Sequence, residues 1–435
     1  MKIKKLNIKS YRHLEDVNFD FTYPEGHKKE GLPLDKICII GQSATGKTGI
    51  LELFKDNISS LSKAKILGNT SNTYLLQYDN SLLDGNVQIE YLCHDGNLIT
   101  EKNKISKNGT EFQDLPSEVS GTESMLIQEG LKLLYFNADI ISKETIDILN
   151  QNPLDILSVM SDKRQGNSNA NGHSHNSEYI YEFSQAVNVE VWLLLLSKIL
   201  NYRKAFTQLM SELINKGVIG DLNRLNKEYI NWSKVHENPL SAFAEAINPV
   251  LDKLGLEVDL VNTEYTVPIR SKITGDIISI SNLSTGTKGL LLSLFPLMQL
   301  NTDNAIILLD EPERSLFPDI QIDLMSYYQK LAPNAQFITA THSPFIAAAF
   351  EPEERFILYF DADGKVAVRK GESPIGDDPN DMLMNDFKVK YYNEFGKEAY
   401  KKYLDLKRRI MQEKDQDKKN ELLIELTKLG DKYNF

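Results

Sequence analysis

Polar and apolar residues alternate along Lys2–Lys9 and again along Val17–Phe21, the period of a strand with one buried face. Ile37–Ile40 breaks that alternation with a wholly apolar run, as in a strand covered on both sides. A helix is predicted from Thr48 to about Leu61. Tyr74–Tyr78, Val87–Leu92, Asn97–Glu101 and Leu131–Phe136 read as further strands. The turn residues between His94 and Asn97 suit a hairpin, which makes His94 a loop residue. From about 140 to 262 the pattern turns helical, with helices over Val189–Ile214 and Leu240–Leu254. Residues 162–177 interrupt it with a polar, low-complexity stretch expected to be mobile. His173 and His175 within that stretch make a poor metal site. Strands return over Val258–Ile280, at Ala305–Leu309 and at Phe356–Phe360 with Lys365–Arg369. Beyond about 385 the chain is charged, with apolar residues at helical spacing: Phe395, Ala399, Tyr403, Leu406 and Ile410, then Leu422, Leu426 and Leu429.

A chain of 435 residues with 41% hydrophobic and 25% charged residues can bury a large core and hold two or three domains. The net charge of −12 argues against a protein coated in nucleic acid, while allowing a local basic patch. Cys38 and Cys93 form neither a disulfide framework nor a metal cluster. Cys38 sits in the apolar run and reads as a small buried hydrophobe. The most apolar helix, Val189–Leu200, carries Glu190, Ser197 and Lys198, so it reads as buried in protein and not as a membrane span. No signal-peptide core follows the basic Met1–Lys5, and a cytoplasmic protein is expected.

Chemistry enters between the apolar run and the first helix. Gly41, Gln42, Ser43, Ala44, Thr45, Gly46, Lys47 and Thr48 have the spacing G-x-x-x-x-G-K-T. Glycines let the backbone turn so that successive N–H groups point at a phosphate, and the helix adds its positive end. Lys47 would reach the β- and γ-phosphates of ATP, and the Thr48 hydroxyl would hold Mg²⁺. A second constellation follows the apolar run Ala305–Leu309. Asp310 would support the Mg²⁺ shell, and Glu311 would orient and deprotonate the attacking water. Leu283–Lys288 (LSTGTK) precedes an apolar helix, so Ser284 and Gly286 make a second anion site at a helix start. Two such sites for one nucleotide are reconciled by a head-to-tail homodimer, each Ser284 facing the nucleotide on the other subunit's Lys47. His342 ends the strand-like run from Gln336 and is placed to sense a γ-phosphate.

These motifs together resemble the ABC-type ATPase head of the SMC/RecF/OLD group over roughly residues 1–140 and 265–360. The resemblance implies an α/β head with a mixed N-terminal sheet and a parallel core sheet. It implies phosphate contacts from residues 41–48, signature residues Ser284, Gly286 and Lys288 acting in trans, Asp310 and Glu311 as the Walker B pair, and His342 as the switch histidine. Arg12 matches an N-terminal arginine of the group on a short stretch. The glutamine of the Q-loop stays open between Gln77, Gln128 and the Asn137–Asp139 turn, and Phe317 stands where a histidine is common. The expected organisation is a first half-head over 1–140, a helical insertion over 141–262, a second half-head over 263–370 and a helical tail over 371–435. An insertion of about 120 residues is too short for a long coiled coil at about 1.5 Å per residue in two passes. The whole resembles prokaryotic anti-phage ATPases of the Septu (PtuA), retron-associated and PARIS types. That implies an ATPase acting as sensor and scaffold, as a homodimer or higher homo-oligomer, with a separately encoded effector such as a nuclease and no membrane contact. The alternatives are a RecF-like repair ATPase that clamps DNA, with Lys63, Lys65, Lys102, Lys104 and Lys107 as candidate contacts, and a nucleotide switch with little turnover. Asp361-Ala-Asp363 fits the D-x-D of a Toprim nuclease, but the flanking strands and Gly364 favour a hairpin turn.

Overall fold

The computed structural model describes residues 1–63, 65–67, 75–77, 85–101, 104–111, 113–114, 123–124, 130–150, 179–186, 189–262, 264–389 and 394–433. The stretch 162–177 with His173 and His175, and Lys102, Gln128, Tyr74 and Tyr78, lie outside these residues. So do the side chains of Lys63, Lys65, Gln77 and Phe395.

The alternating N-terminal segments become Lys2–Tyr11 (β1) and Leu14–Asp20 (β2), paired antiparallel. The phosphate-loop strand is Lys36–Gly41 (β3), followed by the helix Lys47–Lys63 (α1). Four short strands, Lys65–Leu67 (β4), Leu75–Gln77 (β5), Gln113–Asp114 (β10) and Glu123–Ser124 (β11), form a small sheet. Asn86–Cys93 (β6), Gly96–Glu101 (β7), Lys104–Lys107 (β8) and Thr110–Glu111 (β9) extend the first pair into an antiparallel sheet of order β2-β1-β6-β7-β8-β9. The hairpin expected at His94–Asn97 is the β6–β7 turn.

The central sheet collects strands from the whole chain: Lys132–Phe136 (β12), Ile180–Phe183 (β13), Ala305–Asp310 (β17), Gln336–Thr341 (β18), Arg355–Phe360 (β19) and Val366–Lys370 (β20) join β3. Its order is β13-β12-β17-β18-β3-β19-β20, parallel throughout except for the edge strand β20. The apolar run at β17 has a simple cause, because successive side chains enter different cores. Ile306 and Leu308 pack with α1 and the N-terminal sheet, while Ala305, Ile307 and Leu309 pack with the helices on the other face. Cys38 is fully buried on the helical face, as expected, and burial pushes its thiol pKa up.

That helical face is built from Lys143–Asn150 (α2), Val189–Asn215 (α3), Pro239–Leu251 (α5), Thr285–Gln299 (α6) and Pro318–Leu331 (α7), while Leu222–Ser233 (α4) lies outside this core and has no buried residue. Leu256–Val258 (β14), Ile269–Ser271 (β15) and Ile277–Ile278 (β16) make a three-stranded antiparallel sheet beside α5. One departure from the sequence reading is a strand inside its helical span. The span read as helical contains β13, which extends the central sheet at its edge. It also contains α4, capped by Asp221, whose side chain accepts from the Asn223 and Arg224 N–H groups. Pro344–Ala347 (α8) lies in the β18–β19 connection, Pro379–Asn385 (α9) follows β20, and Glu394–Gln412 (α10) packs on Gln416–Tyr433 (α11) as the tail.

Two buried polar devices fix the frame. The Gln336 amide accepts from Ile3 N at 2.7 Å and donates to Ile3 O and Leu34 O, both at 2.9 Å, so it bonds β1 and the entry to β3 to β18. Arg355 and Asp386, both 0% exposed, form an ion pair at 2.8 Å. Asp386 also accepts from Glu372 N at 2.8 Å, which ties the segment after β20 to the core.

Candidate functional site

β3 delivers Gly41 to the carboxyl end of the central sheet, where the chain turns into α1. A Cβ on Gly41 would stand 2.4 Å from the Leu358 carbonyl oxygen, so only glycine fits against β19. Gly46 has a φ of +93°, and a Cβ there would meet His13 Nε2 at 3.1 Å. Thr45 Oγ1 donates to Gln42 O at 2.8 Å and closes the loop from inside. Gln42, Ser43, Ala44 and Thr48 face solvent, while Lys47 is only 7% exposed. The Lys47 ammonium donates to Gly41 O and Gln42 O, both at 3.1 Å. Burial lowers its pKa, and the carboxylates of Glu311, Asp310 and Glu313 oppose that shift. A cation folded onto its own loop's carbonyls, beneath outward backbone, is a cradle that phosphate oxygens can enter.

The acidic pair meets this loop from the end of β17. The Thr48 hydroxyl donates to Asp310 Oδ1 at 3.2 Å. Burial pushes Asp310 up to about 6, against the Thr48 hydrogen bond and with help from Glu311, Glu313 and Glu52. A divalent cation would reverse that shift, and a hydroxyl beside a carboxylate is the oxygen pair Mg²⁺ takes. The residues therefore fit Mg²⁺, which when bound would offset charge on the transferring phosphoryl group.

Glu311 adopts a left-handed φ of 47°, uncommon for a side chain of its size, and its N–H donates to Ala340 O at 2.9 Å. This turn presents its carboxylate 3.7 Å from His342 Nε2, with both side chains part-exposed. Burial and the Lys47 charge lower the His342 pKa, and Glu311 raises it. A carboxylate and an imidazole sharing one open edge can together hold a water and hand on its proton.

The LSTGTK stretch is itself the first turn of α6. Ser284 is the exposed N-cap, and its hydroxyl accepts from Thr287 N at 3.2 Å. Gly286 is there for space, since a Cβ would lie 2.2 Å from Ser315 O in the turn after the acidic pair. Lys288 N donates to Ser284 O at 3.0 Å, continuing the helix. No hydrogen bond among the described residues joins Ser284 to residues 41–48. Arg12, at a φ of 53°, donates to Glu52 at 2.6 Å, one turn along α1 from Thr48.

Several neighbours were not legible in the sequence. His13 lies over Gly46, and Glu52 anchors Arg12. Arg314 bonds Ala138 O at 3.2 Å and pairs with Asp139, so the Asn137–Asp139 turn is fastened to the loop after the acidic pair. A cavity of about 330 Å³ lies there, lined by Asp310, Glu311, Asp139, Arg314, Thr285 and Gly289 among others, and none of residues 41–48 faces it. The Asp361-Ala-Asp363 stretch is a hairpin turn. Asp361 accepts from the N–H groups of Asp363 and Lys365 at 2.9 and 2.8 Å, and Lys365 pairs with Glu15 at 2.9 Å.

The AAA ATPase domain family matches residues 1–347, which include every residue placed at the site. The chain belongs to this family. It is thus an ATPase-domain protein, of a family that implies nucleotide binding. No curated protein matches it. Among solved structures, an SMC head bound to the C-terminal winged-helix domain of ScpA is 13% identical, covering 85% of this chain and 97% of that chain with a TM-score of 0.42. The SMC head domain from Thermotoga maritima is 14% identical, covering 86% and 100% with a TM-score of 0.38. An SMC head with an extended coiled coil, bound to the C-terminal domain of ScpA from Pyrococcus furiosus, is 14% identical, covering 85% and 96% with a TM-score of 0.41. Among the described residues no helix is long and apolar enough to cross a membrane.

Proposed function

We propose that this ATPase hydrolyses ATP with Mg²⁺ in a head-to-tail homodimer and serves as sensor and scaffold of an anti-phage complex controlling a separate effector. The observation that carries the chemistry is the convergence at the carboxyl end of the central sheet of Lys47, the Thr48–Asp310 contact and the Glu311–His342 pair. In this reading Lys47 and the N–H groups of the loop hold the phosphates, Thr48 and Asp310 hold the cation, and Glu311 takes the proton from water. His342 orients that water near the γ-phosphate. The dimer is supported by Ser284, an exposed helix cap with no hydrogen bond to residues 41–48 among the described residues. The defence role rests on the motif resemblance and on an inserted helical arm and a tail available to a partner.

Glu311→Gln tests the chemistry. Turnover should fall about 10²–10⁴-fold, and the ATP-bound dimer should accumulate in sedimentation velocity. Unchanged turnover would remove Glu311 from its role. Ser284→Arg should keep nucleotide binding but abolish that dimer. The complex is tested by purifying the chain with its neighbouring gene products and by phage challenge; an isolated locus giving no protection would exclude the defence role. The DNA-clamp alternative gains little, since Lys104 pairs with Glu111 at 2.9 Å and Lys107 with Asp95 at 2.6 Å.

A further inference from the structure

Glu313 is the one acidic residue of the post-β17 turn that the chemistry above leaves without work. No hydrogen bond among the described residues joins its side chain to Thr48 or to the His342 ring. Its Oε1 instead accepts the backbone N–H of His342 at 2.8 Å. Its Oε2 is buried, and the Thr341 hydroxyl at the end of β18 lies against the same carboxylate. Burial raises the pKa of this carboxylate and its bonds to Thr341 and His342 oppose that rise, so its contacts lie with the end of β18.

The contact closes a ring. The next residue, Ser343, donates its hydroxyl to Gln321 Oε1 at 2.6 Å. Gln321 Nε2 donates to Leu316 O at 2.7 Å, and Leu316 N donates to Glu313 O at 2.9 Å. The turn carrying Glu311 and the end of β18 carrying His342 are thereby cross-linked through side chains on α7 and on the turn itself. Glu311 N bonded to Ala340 O is the second strut between them. Within this frame the Glu311–His342 separation of 3.7 Å depends on where residue 342 is held, and Glu313 holds it.

We propose that Glu313 is a positioning residue, which sets the height of His342 against Glu311 by gripping the histidine's backbone N–H. The proposal rests on the reading of Glu311 and His342 as the hydrolytic pair. It asks for an acceptor at the end of a side chain of this length, not for a charge.

The test is a double-mutant cycle in steady-state ATP hydrolysis on the full chain, with Glu311→Gln measured alongside. Displacing a reacting group by an ångström is worth about 10²-fold. Glu313→Ala should therefore lower kcat about 10- to 100-fold with KM unchanged. Glu313→Gln, which keeps the acceptor and the length, should recover most of that loss, and the shorter Glu313→Asp should not. In a His342→Ala background, Glu313→Ala should cost nothing further. Equal losses in both backgrounds, a change confined to KM, or a glutamine variant as poor as alanine would each overturn the positioning role. If Glu311→Gln leaves turnover intact, the reading of the site itself fails, a result separable from the others. Thermal unfolding of each variant tells a misfolded chain from a displaced histidine, and Glu313→Gln serves as the folded reference.

Discussion

The central sheet and the helical arm make opposite uses of apolar side chains. In β17 every residue from Ala305 to Asp310 is buried, and both faces of the strand are packed. In the arm, formed by the distal part of α3 and by α4, none of the residues of α4 is buried, and Leu222 and Val235 are 77% and 79% exposed. The aromatic side chains of Tyr202, Phe206, Tyr229 and Trp232 contact one another instead of a core. A site that must place a lysine, two carboxylates and a histidine within a few ångströms needs a base that does not yield. The arm has no such duty, and its cohesion is local. Burial is complete along the strands that end at Asp310 and Thr341 and absent from α4.

Substitutions can break this contrast or sharpen it. Ile307→Ala, at the centre of β17, should cost about 2–5 kcal/mol in urea unfolding through the cavity it leaves. A loss near zero would mean that the sheet tolerates what the arm tolerates. Gly286→Ala should cost about 1–3 kcal/mol, even though alanine is the better helix former, because the added methyl meets a backbone carbonyl and not a movable side chain. Asp310→Asn should act in the other direction. The folded state raises this carboxyl above its ordinary range, so above about pH 6 its charge burdens the nucleotide-free fold. Its replacement should stabilise that state by roughly 1–2 kcal/mol at pH 7 while ending Mg²⁺-dependent ATP binding. The gain should fade as pH falls through about 6, where the wild-type group takes up its own proton. Smallest of all, Leu222→Ser in the arm should stay within about 0.5 kcal/mol of wild type. A large loss there would show that the arm is bound into the same cooperative unit.

Legibility in the sequence followed the same divide. The chemistry-bearing strings, 41–48, Asp310–Glu311 and 283–288, could be read because their residues are adjacent and the backbone between them is short. The central strands could be read as strands from unbroken apolar runs, but such runs carry no alternation to reveal which strands are neighbours. The edge strand Ile180–Phe183 stayed hidden because four residues give too little period. The helix Leu222–Ser233 does carry a signal, with Leu222, Leu225, Tyr229 and Trp232 at helical spacing after Asp221, but asparagines and charges dilute it. What no local pattern could supply were partnerships over long separations: His13 over Gly46, Arg314 with Asp139, and Glu313 with His342. Gly286 was visible as a motif residue, while the reason for it, the carbonyl of Ser315, was not.

The strand that leads into the phosphate loop lies between β18 and β19, its two hydrogen-bonded neighbours, both encoded more than halfway along the chain. During synthesis residues 36–41 leave the ribosome long before residue 336 exists, and they wait without either flank. The nascent polypeptide can gather its antiparallel N-terminal sheet early, yet the cradle is completed only after β18 and β19 have been made. Such late, far-reaching closure makes for slow folding. A nucleotide entering this cradle would then meet only a chain in which β18 and β19 already flank β3.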